Sequence, residues 1–472
     1  MTIRPISLSA VLLYVCLLLS LFTIPVAPLA AQEAAPDNIF GIVEGFWLLE
    51  DACEAGAGWE RIIFSWAQHQ PTGPDDWHTL NVDDRWLAAA RDCDREVVAL
   101  LKDTPEWATD GLAGPGVPRG LYLPVDDPGN VWANFVRRAA EYYAGRGVRR
   151  FIIWNEPDIT RETYGFEFEG TLEDYAQLLK VAALAARRGN PDALIHVAGV
   201  TYWHDVNEGR RLYLDRLLEH LTADPEAAAH GYYFDAVTLH IYFRTDTVYQ
   251  IVAETRALLE RYGLGDKAIW VDETNASPNL DPEWPVTRPR WQITLDQQSA
   301  FLAQAVGLAL AGGADAIGVY KFYDWSLPPG AEAFGLIRAD GSRRPAFDTW
   351  RWLAADFRHV ERAALARNER VSVVRLELAG GQTALLAWAR GATPVELRIG
   401  ATGTQSFLYD QYGKMMTASP VAGAYSLSLP GAICNAADGC PVGGYVTVLV
   451  QPSGEFPVEE ITADGLQPLT FN

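Results

Sequence analysis

Between residues 39 and 323 the chain repeats one alternation eight times: a short apolar run, then a longer segment with helical spacing. The runs are IFGIVEG (39–45), RIIFSW (61–66), EVVALLK (96–102), RFIIWN (150–155), ALIHVAG (193–199), FDAVTLHIY (234–242), KAIWVDE (267–273) and AIGVYKFY (316–323). They are rich in Val, Ile and Leu without a two-residue alternation, as strands buried on both faces of a helix-covered parallel sheet must be. Segments such as NVWANFVRRAAEYYAGRG and LEDYAQLLKVAALAARRGN between them end in Gly or Asn, as helix stops do. Eight such units predict an α/β fold, a (β/α)8 TIM barrel over 38–365. An open doubly wound sheet is disfavoured because FGIVEGFW lacks the glycine spacing that follows its first strand.

From Val371 the texture changes. In VSVVRLELAGGQTALLAWARG, PVELRIG, AYSLSLPG and YVTVLVQP polar and apolar positions alternate between Gly and Pro turns. This predicts a C-terminal antiparallel, β-sandwich-like domain over 370–455, with an irregular tail over 456–472. At the other end Arg4, the run AVLLYVCLLLSLFTIPV and the small residues PLAAQ form a secretory signal peptide over 1–31. Pro25 breaks that run early, so a retained anchor is the lesser reading, and the mature chain is expected to be secreted or periplasmic without stable membrane insertion. Cys53, Cys93, Cys434 and Cys440 then remain for an oxidising compartment. Three connectivities are open to them; Cys53–Cys93 and Cys434–Cys440 is the expected one. No CxxC or His cluster marks a metal site, and a formal charge of −22 excludes nucleic acid as the main partner.

The fourth strand ends in Trp154, Asn155 and Glu156, and the seventh in Asp272 and Glu273. Carboxyl ends of barrel strands carry function, and these two face one another across the mouth. Two carboxylates flanking one bond suit glycoside hydrolysis, one protonating the leaving oxygen and the other attacking the sugar. Asp272 alternates to the other side of its strand and is expected to pair with a neighbouring helix.

WNEP and WVDET resemble the acid/base and nucleophile motifs of the clan of retaining (β/α)8 glycoside hydrolases. The order of WERIIFSWAQHQP, LLKDTPEWA and VTLHIY is most like family 39, less closely family 5. The resemblance covers most of 40–360. It implies Glu156 as acid/base and Glu273 as nucleophile, with Asn155 on the sugar 2-hydroxyl and Arg61 as a fixed cation beside Glu273. It also implies Tyr242 as a hydroxyl donor to Glu273, His240 lining the sugar site and Trp325 as an aromatic platform. Trp203 is added as a sugar contact, while Trp47, Trp66 and Trp107 stay open between core and site. The implied substrate is an oligo- or polysaccharide or glycoside, cleaved without cofactor or metal in a β-xylosidase-like reaction. The alternatives are a family 5 type endo-β-glycanase and a non-catalytic carbohydrate-binding barrel. Two departures bear on the substrate: His69 stands where an apolar residue is usual, and the loop DITRETYGFEFEGTLEDY carries four glutamates.

Overall fold

The computed structural model describes residues 36–472 except Tyr164 and Ser326, so the expected signal segment 1–31 lies outside the described residues. Strands β1 (Phe40–Val43), β2 (Trp59–Ser65), β3 (Glu96–Lys102), β4 (Arg150–Asn155), β5 (Leu194–Gly199), β6 (Ala236–Tyr242), β7 (Ala268–Asn275) and β8 (Ala316–Val319) form a closed parallel barrel in chain order. β8 pairs back onto β1, Gly318 opposite Gly41. All positions of β1, β5, β7 and β8 are buried, which explains the unbroken apolar runs.

Large rings fill the interior. Trp59 and Trp270 pack with tilted rings, centroids 4.9 Å apart, among Val98, Leu100 and Ile152. A Cβ on Gly41 or Gly318 would meet the Trp59 ring at 2.0 or 2.3 Å, so two facing glycines are the condition for that indole. Helix Leu172–Gly189 starts with a capping box of Thr171 and Asp174, and helix Leu295–Gly312 with one of Thr294 and Gln297.

Helix Leu295–Gly312 is apolar nearly all round because it lies between the barrel and the second domain. That domain stacks two antiparallel sheets. One comprises β9 (Val360–Arg367), β10 (Val371–Leu378), β11 (Gln382–Ala389), β13 (Ser406–Tyr409), β14 (Met415–Ala418) and β16 (Thr447–Pro452). The other comprises β12 (Val395–Gly400), β15 (Ala424–Leu429), β17 (Val458–Thr462) and β18 (Gly465–Pro468). Alternation sorts β10 between two cores: Val371 and Val373 join the inter-sheet cluster, Val374 and Leu376 the barrel's. A Cβ on Gly307 would stand 3.3 Å from Val374 and Leu386, so the helix packs closely on the sheet. Gln304, wholly buried there, donates to Gly444 O at 2.7 Å and accepts from Gly443 N–H at 3.1 Å.

Two boundaries differ from expectation. The β domain begins with β9 at Val360, whose face is half exposed and whose alternation is faint. The tail expected to be irregular carries β17 and β18; β17 has few buried positions and β18 none, so no apolar pattern announces them. Cys53–Cys93 and Cys434–Cys440 are the disulfides.

Candidate active site

The chain leaves β4 under backbone strain: Trp154 has φ 74° and Glu156 φ 42°, a region costly for residues with a Cβ. Glu156 N–H donates to Gly199 O at 3.0 Å, tying the turn to the end of β5. The half-buried carboxylate thus turns into the barrel mouth, where Oε1 meets His240 Nδ1 at 2.6 Å. Gly199 makes room for that imidazole, since a Cβ there would sit 2.0 Å from His240 Nε2.

Glu273, from β7, is held on both oxygens. Arg61 Nη2 donates to Oε1 and Tyr242 Oη to Oε2. Burial and the Glu273 charge push the Tyr242 hydroxyl well above 10, so the phenol keeps its proton and remains a donor. One atom each of Glu156, His240 and Glu273 lie within 4.8 Å of one another, which sets the two carboxylates side by side.

Asp272 corrects the expectation of a helix-facing acid. It is fully buried and accepts from Arg61 Nη1 at 2.9 Å, with Oδ1 3.5 Å from His240 Nε2. The cause is a break in strand register: β7 shifts against β8 between Val271 and Thr274, and β6 shifts against β7 between Thr238 and His240. A bulge re-aims a side chain, so consecutive acids both reach the guanidinium. Burial works against the Asp272 charge, but His240 and Arg61 outweigh it and hold the carboxyl below its ordinary range. For His240 burial pulls downward, while Glu273 and Asp272 push the pKa well above 6.5. Glu156, Asp272 and Glu273 thus gather around Arg61 and His240.

Asn155 closes β4 opposite Gly199, half-buried. Trp325 lies at the rim, 43% exposed, its ring tilted against Trp47 with centroids 4.2 Å apart. Trp203 begins the short helix Trp203–Asn207 after β5, half-buried and edge-on to Tyr202. Trp66 is wholly buried and donates to Gln70 Oε1; Trp107 donates to Gln70 O. His69 is a core residue: Nδ1 lies 2.7 Å from Ser65 O and Nε2 2.7 Å from Tyr143 Oη. The glutamate-bearing loop after β4 is pinned by Asp158, which accepts from Thr201 N–H and Oγ1, and by Glu167, which accepts from Lys102 Nζ at 2.6 Å.

Sequence reasoning missed Asp272 as a site residue, and also Glu44, Tyr320 and Lys321. Glu44 directly follows β1 and Lys321 stands two residues after β8, charges beyond an apolar run of the kind that singled out Glu156. Tyr320 packs edge-on to Tyr242 with centroids 6.1 Å apart. Glu156, His240 and Glu273 are spaced as a metal's ligands are, but their donor atoms already face Arg61, Tyr242 and one another.

Fold and site together define a (β/α)8 barrel with paired glutamates at the ends of β4 and β7. Among solved structures the chain is similar to a family 39 glycoside hydrolase from the gut symbiont Bacteroides cellulosilyticus WH2, at 16% identity and a TM-score of 0.67, over 89% of this chain and 81% of that one. It is similar to a family 39 β-xylosidase from Caulobacter crescentus at 17% identity and a TM-score of 0.58, over 89% and 98% of the two chains. A family 30 endoxylanase from Clostridium papyrosolvens C71 matches at 13% identity and a TM-score of 0.57, over 89% and 98%. No family profile matches the sequence, and no curated protein does. At these identities the likeness is one of fold.

Proposed function

We propose that the protein is a retaining β-glycoside hydrolase, xylosidase-like, that works outside the cytoplasm. The observation that carries the reading is the closeness of Glu156 and Glu273, with atoms within 4.8 Å, beside a guanidinium and a phenol that both donate to Glu273. Retaining enzymes hold their carboxyl groups about 5 to 5.5 Å apart, whereas inverting ones leave about 6.5 to 9.5 Å for a water. Glu273, with Arg61 and Tyr242 fixing its orientation, attacks the anomeric carbon while Glu156 protonates the departing oxygen. Glu156 then takes a proton from water, which hydrolyses the glycosyl ester. His240 joins the two halves, bonded to Glu156 and 3.6 Å from Glu273, so a proton shift on one carboxylate is felt by the other. Asn155 and Trp325 serve as sugar contacts, Trp203 as an outer one. The two disulfides support a compartment outside the cytoplasm, and among the described residues no helix is long and apolar enough to cross a membrane.

The test is turnover of para-nitrophenyl β-glycosides by wild type, Glu156→Gln and Glu273→Gln. The expected result is loss of on the order of a hundredfold or more in each variant. Near wild-type turnover in both would overturn the assignment.

A further inference from the structure

The rim on the β8–β1 side carries a set of groups that the hydrolytic steps leave unused. Tyr320 packs against Tyr242. Next, Lys321 Nζ meets Glu44 Oε2 at 3.3 Å, with side chains 11% and 21% exposed. Glu44 is the only carboxylate within 4.0 Å of that ammonium among the described residues. Lys321 therefore keeps donors free for another partner. Outermost are Trp47, 37% exposed, and Trp325, 43% exposed, with Trp86 5.9 Å behind Trp47. Two partly open indoles and a largely buried ion pair on the same rim make a surface that is apolar on one side and a two-way hydrogen-bonder on the other. A pyranose with equatorial hydroxyls has that same division: C–H groups on its faces, and neighbouring hydroxyls at its edge that both donate and accept.

Position assigns which sugar. In a barrel closed in chain order β8 stands four strands from β4. The leaving group must lie against Glu156 on β4, so the β8–β1 rim flanks the other end of the cleaved sugar. We propose that Trp47, Glu44 and Lys321 form a subsite for a second sugar on the non-reducing side of the cleaved residue. The enzyme then acts on an equatorially linked oligosaccharide rather than on a single terminal sugar alone. The inference rests on the hydrolase reading for its direction along the substrate, and its test is chosen to be independent of turnover.

Binding of xylotetraose, cellotetraose and mannotetraose is measured by calorimetry on Glu156→Gln and on the same chain carrying Trp47→Ala in addition. At least one tetraose is expected to bind, and Trp47→Ala to weaken it about tenfold, the scale of one lost aromatic contact. Glu44→Gln, which keeps the shape but loses the charge, is expected to weaken it in the same direction. Equal affinity with and without Trp47, or no binding of any of the three, would overturn the subsite. In the active enzyme the ratio of kcat/KM for an aryl bioside to that for the aryl monoside should fall about tenfold with Trp47→Ala. Loss of turnover with binding intact would instead indict the hydrolase reading.

Discussion

Arg61 shows how one side chain organises the site. Its fork reaches Asp272 at 2.9 Å through one nitrogen and Glu273 through the other, with 4% of its surface exposed. A lysine offers a single point charge where a planar fork is needed. His69 gives the clearest pH consequence. Burial, against the help of the Ser65 carbonyl, pushes its pKa down to about 4 from 6.5. The unfolded chain then takes up a proton below pH 6.5 while the folded chain does not until about 4, so stability falls as pH drops through that window. His69→Gln does not titrate. Denaturant midpoints should therefore favour wild type at pH 7, with the gap narrowing toward pH 4. A gap that stays constant would show that the ring is not held neutral.

Among the elements, the barrel strands were legible because burial on both faces writes continuous apolar runs. The two glutamates were legible because a charge after such a run has no structural excuse. The bulge in β7 was not: register against β8 depends on a neighbour distant in sequence, so strict alternation sent Asp272 to the wrong side. β17 and β18 were missed for the opposite reason, since strands with mostly exposed faces carry no apolar code. His69 drew notice as an oddity of type, and only packing shows it bonded to Tyr143. Helix Leu295–Gly312 offers a local test. Its capping box joins Thr294 and Gln297, and Gln297 Nε2 also donates to Ile433 O of the β domain at 3.1 Å. Thr294→Ala should lower unfolding free energy by about 1 kcal/mol in urea titration, with glycosidase turnover little changed. A loss below about 0.3 kcal/mol would mean that the cap contributes nothing net.

At the scale of the whole molecule, the β domain is a brace seated on the barrel through the buried face of one helix. Polar contacts extend this seat toward the mouth. Thr245 N–H donates to Pro441 O at 3.0 Å, Arg390 pairs with Asp246 at 2.7 Å, and Tyr412 and Tyr445 both donate to Asp296. The loop closed by Cys434–Cys440 lies against the segment after β7, with Gln292 N–H directed at Asp438. Barrel and brace share a continuous apolar cluster, so calorimetry of the intact chain should give one cooperative transition. Two well-separated transitions would show that the domains unfold independently.

In the proposed mechanism Glu273 forms a covalent bond to the sugar while Glu156 moves the proton. Its most direct test is incubation with an activated β-glycoside carrying fluorine in place of the hydroxyl beside the anomeric carbon, followed by peptide mass mapping. Fluorine slows both displacements, and the good leaving group lets the first outrun the second. One sugar per chain is expected, attached to the peptide containing Glu273 and absent from Glu273→Gln. A label on any other residue, or release of the aryl group with no label and an inverted product, would contradict it.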